Sequence, residues 1–377
     1  MLPSNSLHRA ARAFTFLLLF AGVSFLINIS QSIGYCVLRP ISYPAYRTYI
    51  HESQAVFTIL MLLLVDYFSP VTMIVTGDES VKNMVVKDRG DSKQLRLPEK
   101  AIVISNHQIY LDWMYLWFFA YFADAHATLK IILKDSLRTV PIFGWGMQFF
   151  DFIFIRRNWT ADRVSLEQHL TRLKNSKFWL MIFPEGTVLS QGTRQASHLF
   201  SKKMDLALAW NHCLIPRTTG LKFCADHLKY DILDFTVAYE GLKGDEIPEC
   251  VFPLVDTLVG TSNRPLRRIH VHIRHIPLTE FYPKAEGVSP SGEKGEVETA
   301  VFTQKLLEVW GEKEEMLKHF YDKGGFPSSA WENGLSPTVM PLHIKSKSEL
   351  LRMGVFVFGP LLLACKAFQW CCQVWSS

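Results

Sequence analysis

The segment SNHQIYLDW, residues 105–113, places a histidine and an aspartate between two strongly apolar runs. Histidine can abstract a proton near neutral pH, and a carboxylate bonded to its other ring nitrogen fixes the tautomer. His107 and Asp112 lie five residues apart, which is roughly 140° of rotation on a helix. They meet if His107 lies in a strand-to-helix turn and Asp112 in the first helical turn. Taken alone, the string fits equally an aspartate that caps a turn and a histidine that only packs.

A second motif, FPEGT, closes an apolar run at residues 183–187. Pro184 and Gly186 bracket Glu185, and this pattern favours a tight turn that presents the carboxylate where the strand ends. Ligands of open α/β sheets gather at the carboxyl ends of strands. An ordinary turn is the alternative interpretation.

Two further segments carry arginines. FIFIRR, residues 152–157, is an apolar strand that ends in Arg156 and Arg157. Guanidinium groups bind phosphate through paired hydrogen bonds. LIPRTTG, residues 214–220, reads as a loop that carries Arg217. A solvated strand end and a simple turn are the alternatives for these two segments.

The composition favours a membrane-associated protein. The 377 residues are 49% hydrophobic and 20% charged, and the mean hydropathy is +0.10. The net charge of +5 suits an anionic membrane surface or a phosphate-bearing substrate. We see no basic stripe with interleaved aromatic residues, so we expect no nucleic-acid partner. The seven scattered cysteines give neither a zinc framework nor a disulfide scaffold.

Three apolar segments are candidate membrane helices. Residues 13–29 follow a basic start and predict an uncleaved membrane helix with that start in the cytosol, with a signal peptide as the alternative. Residues 55–76 are broken by Asp66 and Pro70, so a membrane span and an interfacial or half-inserted helix both remain open. Residues 350–375 predict a span, with a re-entrant or interfacial anchor as the alternative.

The remaining pattern predicts an α/β fold, in which a mixed sheet is flanked by helices. The predicted strands are AIVISN, LKIILK, FIFIRR, FWLMIF and the segments 232–239 and 269–276. The predicted helices are 111–123, 162–174, 204–211 and 304–321. We expect one short strand in 77–100, a surface loop at 285–300 and a Gly/Pro/Ser-rich segment at 324–341. The expected domains are N-terminal membrane-anchoring helices at 1–80, a catalytic domain at 81–285 and a C-terminal extension with an amphipathic helix and an apolar membrane segment at 286–377.

The order of the four motifs resembles the glycerolipid acyltransferase family, over roughly residues 95–280. NHxxxxD, the arginine-ended strand, FPEGT and the proline-centred loop follow one another as in lysophosphatidic acid acyltransferase-like proteins. The versions NHQIYLDW, FPEGT and PRTTG are most similar to the eukaryotic, especially fungal, branch with lysophosphatidylinositol and lysocardiolipin acyltransferases.

The resemblance implies transfer of an acyl chain from acyl-CoA to the free hydroxyl of a lysophospholipid, with His107 as general base oriented by Asp112. The acceptor would be lysophosphatidic acid or lysophosphatidylinositol, and lysocardiolipin remodelling or a non-catalytic lipid-binding role are alternatives. A serine hydrolase is disfavoured because GxSxG is absent from the sequence. The implied substrate-binding residues are Asn106, Arg156, Arg157, Glu185, Gly186, Thr187, Pro216 and Arg217.

The resemblance also implies residence in the endoplasmic reticulum membrane, with the active site facing the cytosol or the membrane interface. Acyl-CoA would be a co-substrate, the partners would be the lysophospholipid and the bilayer, and we expect no cofactor and no metal. Two positions depart from the family pattern, since Tyr110 stands where many members have serine and Val188 where many have arginine. Arg194 is a candidate replacement for that cation, but the phosphate role falls mainly on Arg157, with Arg156 as its partner.

Overall fold

The computed structural model describes residues 3–87, 93–206, 208–282 and 294–376. The helices in these ranges are α1 (Pro3–Ile41), α2 (Tyr43–Phe68), α3 (Asp112–Phe122), α4 (Phe143–Phe149), α5 (Trp159–Leu173), α6 (Gln191–Lys203), α7 (Thr218–Leu228), α8 (Pro248–Val251), α9 (Leu254–Val259), α10 (Lys294–Lys323) and α11 (Ser348–Ser376). The strands are β1 (Thr72–Gly77), β2 (Val85–Lys87), β3 (Lys93–Leu95), β4 (Ala101–Ser105), β5 (Lys130–Lys134), β6 (Ile153–Ile155), β7 (Trp179–Ile182), β8 (Ile232–Tyr239), β9 (Arg268–Ile276) and β10 (Leu335–Pro341).

The described strands form an eight-stranded sheet in the order β10-β1-β9-β8-β4-β7-β5-β6, and β2 pairs with β3 separately. Strands β8, β4, β7, β5 and β6 are parallel, whereas β9 runs antiparallel to β8 and β10 antiparallel to β1. The expected mixed sheet flanked by helices is confirmed. The carboxyl ends of the five parallel strands meet at one edge, and every motif singled out above except the loop of Arg217 follows directly from one of them.

Strand β4 shows why the apolar runs become central strands. All five of its residues are buried, and successive side chains point to opposite faces of the sheet. Ala101 and Val103 pack in the core that contains α3, and Ile102 and Ile104 pack in the core that contains α5, α7 and α10. A strand covered on both faces needs a continuous apolar run rather than an alternating one.

Three helices, α1, α2 and α11, are long and apolar enough to cross a membrane. The three helices differ in how much of their apolar surface the protein covers. In the most apolar 18-residue stretch of each helix, 67% is buried in α2, 28% in α1 and 6% in α11. Gln54 of α2 donates to the carbonyls of His126 and Leu129, which fixes α2 to the segment that leads into β5. The exposed apolar surface therefore belongs to α1 and α11, while α2 lies mostly between α1 and the sheet layer.

Three sequence-based expectations are wrong in detail. The described residues of 204–211, where a helix was expected, are not helical. The nearest helix is α6, which begins at Gln191 after a capping box of Ser190 and Thr193 and ends at Lys203. Part of the loop expected at 285–300 is helical, since α10 begins at Lys294; residues 285–293 lie outside the described residues. The expected single strand in 77–100 is a pair, β2 and β3.

The sheet extends beyond the range 81–285 on both sides. Strand β1 lies within the segment expected to hold only membrane helices, and β10 lies within the Gly/Pro/Ser-rich segment of the C-terminal extension. Pro70 lies just before β1, and β10 contains Pro337 and Pro341, so neither gives a clear strand pattern. They form through long-range pairing, because β1 lies between β9 and β10.

Helix α10 is joined to the sheet by a buried charge cluster. The ammonium of Lys313 lies 2.5 Å from Asp234 Oδ1 and donates to the carbonyl of Phe235 at 2.6 Å. Arg274 of β9 donates to Asp234 Oδ2 at 2.7 Å. The side chains of Asp234 and Lys313 are fully buried. Asp234 is the carboxylate paired with Lys313, whereas Arg274 also pairs with Glu312.

Replacement of this carboxylate should destabilise the fold. We expect Asp234→Asn to lower the free energy of unfolding by about 3 kcal/mol or more, because it leaves the buried Lys313 without its counter-charge. Glu240→Gln is the matched control, since Glu240 pairs with Arg268 at the exposed surface. Thermal unfolding of both variants in detergent checks this, and equal shifts would contradict it.

Candidate active site

His107 and Asp112 meet at the carboxyl end of β4. His107 lies in the turn that follows the strand, and Asp112 is the first residue of α3. The imidazole Nδ1 is 2.8 Å from Asp112 Oδ2. The arrangement that the five-residue spacing demanded is confirmed.

The carboxylate of Asp112 is fully buried and is held by four donors. Oδ2 accepts the backbone N–H groups of Gln108 at 2.6 Å and Ile109 at 3.0 Å in addition to the imidazole. Oδ1 accepts the hydroxyl of Tyr239, the last residue of β8. Sequence reasoning missed Tyr239, and its position at the end of a buried strand was the one available signal.

The ring of His107 packs on Phe183, and the backbone of His107 is held by a separate hydrogen bond. Phe183 stacks on the ring with ring centroids 4.2 Å apart and planes 25° apart, and the carbonyl of His107 accepts the N–H of Leu189 at 2.8 Å. Since Nδ1–H donates to Asp112, the neutral ring keeps its lone pair on Nε2, for which the described residues provide no hydrogen bond. The His107 side chain is 15% exposed, so this nitrogen is in place to take a proton.

The side chain of Asn106 points into the protein interior and not toward the exposed side of His107. It is fully buried, and its amide donates to the carbonyl of Val237 at 2.9 Å and accepts the N–H of the same residue at 2.8 Å. The side chain therefore ties the end of β4 to β8. This positioning role takes the place of the expected substrate contact.

The FPEGT turn brings two arginines together. Gly186 has φ +73°, a backbone conformation that favours glycine, and its carbonyl accepts Arg157 Nη2 at 2.6 Å. The N–H of Arg217 donates to the carbonyl of Pro184 at 2.8 Å. A Cβ at Gly186 would lie 3.5 Å from Arg217 Nε. Two guanidinium groups thus converge on the turn that follows β7, next to the strand that leads to His107.

Other expected site residues are placed differently. Arg156 points to Asp135, with 3.6 Å between Nε and Oδ2, and its side chain is 70% exposed. Arg194 donates to backbone carbonyls of Asn211 and Asp245, so it does not replace a cation at position 188. Thr187 is partly buried in the turn, Pro216 is buried, and Tyr110 is exposed beside the dyad.

Glu185 is turned into the protein. It is 3% exposed, and its Oε1 accepts Nε1–H of Trp310 at 3.1 Å. Burial raises the pKa of Glu185 well above its usual range, and the Trp310 N–H offsets this only in part. The expected contact of this carboxylate with the acceptor gives way to a role in holding the turn. Trp310 belongs to α10 and was not singled out from the sequence.

Comparison with known proteins identifies the family. A family model described as Acyltransferase matches residues 51–240. The chain belongs to the acyltransferase family. It is 31% identical to an uncharacterised acyltransferase of Schizosaccharomyces pombe over 93% of this chain and 94% of that protein.

Two relatives carry more specific names. The chain is 27% identical to the 2-acyl-1-lysophosphatidylinositol acyltransferase of Saccharomyces cerevisiae, over 75% of this chain and 78% of that protein. It is 30% identical to lysocardiolipin acyltransferase 1 of Gallus gallus, over 92% of this chain and 83% of that protein. The family match covers α2 to β8 and hence the dyad and both converging arginines of this acyltransferase, whereas α10 lies beyond it.

The raised pKa of Glu185 predicts a pH-dependent stability difference. Because the folded state holds this proton more tightly than the unfolded state, wild-type stability falls as the pH rises above the ordinary glutamate pKa, by about 1.4 kcal/mol per pH unit for this group. Glu185→Gln keeps an acceptor for Trp310 and removes this titration. We expect its melting temperature to rise relative to that of the wild type as the pH is raised above the ordinary glutamate range. A difference that does not change with pH would argue against the raised pKa.

Proposed function

We propose that this protein transfers an acyl chain from acyl-CoA to the free hydroxyl of a lysophospholipid, with His107 as general base. One observation carries the proposal: Nδ1 of His107 is bound to the buried Asp112 at 2.8 Å, which leaves Nε2 for the acceptor hydroxyl. Membership of the acyltransferase family supports the type of reaction.

The acceptor is inferred from the arginines and the relatives. Arg157 and Arg217 converge on Gly186 and provide paired donors for a phosphate oxygen. Two relatives are named for lysophosphatidylinositol and lysocardiolipin, and both of these lipids carry a phosphate on the glycerol. We infer an acceptor of this class, lysophosphatidic acid or lysophosphatidylinositol, with lysocardiolipin as the alternative.

The reaction proceeds by direct attack. Nε2 of His107 takes the proton of the acceptor hydroxyl, and the oxygen attacks the thioester carbonyl carbon of acyl-CoA. The C–S bond then breaks, the thiolate leaves, and the imidazolium returns its proton to the sulfur. Asp112 keeps the ring in the correct tautomer and stabilises the imidazolium. The N–H groups of Gln108 and Ile109 are bonded to Asp112, so an oxyanion needs other donors.

The membrane supplies both apolar substrates. Exposed apolar side chains such as Phe14 and Leu18 of α1 and Leu351 and Leu363 of α11 suit a lipid environment. As part of this proposal the protein resides in the endoplasmic reticulum membrane, with the active site at the cytosolic or interfacial side. Lysophospholipids and acyl-CoA partition to that same interface.

The His107 variant is the first test. We expect His107→Ala to fold normally and to lose acyl transfer by about 10²–10⁴-fold, the range for removal of a general base. His169→Ala, in α5 with its ring on the Ser165 carbonyl, is the control and should keep its activity. Purified enzyme in mixed micelles, with acyl-CoA and a panel of lysolipids, provides the measurement.

The same assay separates the alternatives. Release of free CoA that depends on added lysolipid supports the transferase. Release of CoA or fatty acid without an acceptor indicates a hydrolase, and lipid binding with no release indicates a non-catalytic protein. Near-wild-type transfer by His107→Ala would rule out the mechanism even if the transferase activity stands.

The arginines give a second test. Arg157→Ala should raise KM for the acceptor about tenfold with a smaller change in kcat, because it removes a charge-assisted bond to the phosphate. Arg156→Ala is the matched comparison, since Arg156 points to Asp135 and should raise the same KM much less. A loss confined to kcat, or equal effects of the two variants, would refute the phosphate role of Arg157.

A further inference from the structure

Helix α10 places three polar side chains against three separate segments of the site. Trp310, Glu314 and Tyr321 lie within roughly 40° of one another around the helix axis, because eleven residues are close to three full turns. Trp310 and Glu314 are buried. The helix lies beyond the range that matches the acyltransferase family model. None of the three side chains has a role in the mechanism above.

Glu314 holds the loop that leads to Arg217. Its Oε1 accepts the N–H of Asn211 at 2.7 Å, and its Oε2 accepts the N–H groups of His212 at 2.9 Å and Cys213 at 2.8 Å. Both carboxylate oxygens therefore receive backbone donors. Four residues after Cys213, the N–H of Arg217 docks on the FPEGT turn. Glu314 is therefore one of the side chains that hold the segment before Arg217, together with Ser197, which accepts the N–H of Ile215.

Tyr321 holds the other half of the site. Its hydroxyl donates to Gln108 Oε1 at 2.6 Å, and the backbone N–H of Gln108 donates to Asp112 Oδ2 at 2.6 Å. Two bonds thus connect α10 to the carboxylate that orients His107. The two connections start from different side chains of α10, so each can be removed by its own substitution. They meet at His212, whose carbonyl accepts Gln108 Nε2 at 3.4 Å.

Trp310 supports the turn between these halves. Its Nε1–H donates to Glu185 Oε1 at 3.1 Å, and the next residue, Gly186, carries the carbonyl that Arg157 binds. The buried cluster of Lys313 and Asp234 fixes the same helix to β8. Helix α10 is therefore fixed to the sheet through Lys313, next to the side chains that contact the site.

We propose that α10 is a positioning helix for the acyl transfer proposed above, on which this inference rests. Glu314 positions the phosphate-binding Arg217 by holding the loop before it. Tyr321 positions Asp112 and His107 by holding Gln108. Neither Glu314 nor Tyr321 touches the reacting atoms. Loss of Glu314 therefore weakens acceptor binding, whereas loss of the Tyr321 hydroxyl slows the chemical step.

Glu314→Gln tests the first half. The amide cannot accept backbone N–H groups with both of its ends, so the loop loosens, and we expect KM for the acceptor to rise about tenfold with kcat changed less than about threefold. Glu315→Gln removes the same charge from the neighbouring exposed position and should leave both constants unchanged. Full-length protein in mixed micelles is used throughout.

Tyr321→Phe tests the second half. We expect kcat to fall about tenfold with the acceptor KM nearly unchanged, because the Tyr321 bond to Gln108 is lost while the arginines stay in place. Tyr282→Phe is the control, since that hydroxyl bonds Asp226 away from the dyad. A purely structural role would instead lower the active fraction and leave KM and the kcat of the folded enzyme unchanged in both variants.

Limited trypsin digestion provides a readout that does not depend on activity. The peptide bond after Arg217, which is exposed, should be cut faster in Glu314→Gln than in Glu315→Gln. If the wild-type enzyme transfers acyl chains but Glu314→Gln and Tyr321→Phe both behave like their control variants, the positioning role is wrong and the proposed function still stands. Absence of transfer by the wild type would overturn the proposed function and this inference together.

Discussion

The buried carboxylate of Asp112 is the interaction on which the rest of the site depends. A charge with no exposed surface is tolerated only when donors surround it, and here two backbone N–H groups, one imidazole and one tyrosine hydroxyl do so. These donors come from the turn after β4 and from the end of β8. Satisfying one carboxylate therefore fixes the strand-to-helix turn, the tautomer of His107 and the junction between two strands.

The parallel arrangement of the central strands places the other groups within reach. Because β4, β7 and β6 end at the same edge of the sheet, the dyad, the FPEGT turn and Arg157 become neighbours although they are far apart in the chain. Arg156 follows the same strand but turns to Asp135. Arg157 has a left-handed backbone conformation with φ +63°, and its side chain donates to the Gly186 carbonyl. The sequence favoured Arg157 over Arg156, but the different partners of the two side chains depend on the tertiary structure.

The range that matches the family model is shorter than the part of the chain that forms the sheet and supports the site. The matched range ends at residue 240, yet β9, β10 and α10 complete the sheet and its rear face. Asp234 joins α10 to the sheet through Lys313 at 2.5 Å, and the same helix reaches the site through Trp310 and Tyr321. The C-terminal extension is thus part of the folded catalytic layer, not an appendage that carries only a membrane segment.

The sequence by itself determined what local pattern and residue chemistry can encode: the apolar central strands, the helix after LDW, and the geometric condition that joins His107 to Asp112. Tertiary structure decided what depends on distant partners. It turned Asn106 and Glu185 inward as supports, brought Arg217 to Gly186, and recruited Tyr239 and Trp310. Burial and long-range hydrogen bonding assign these roles, and neither leaves a signal in the spacing of neighbouring residues.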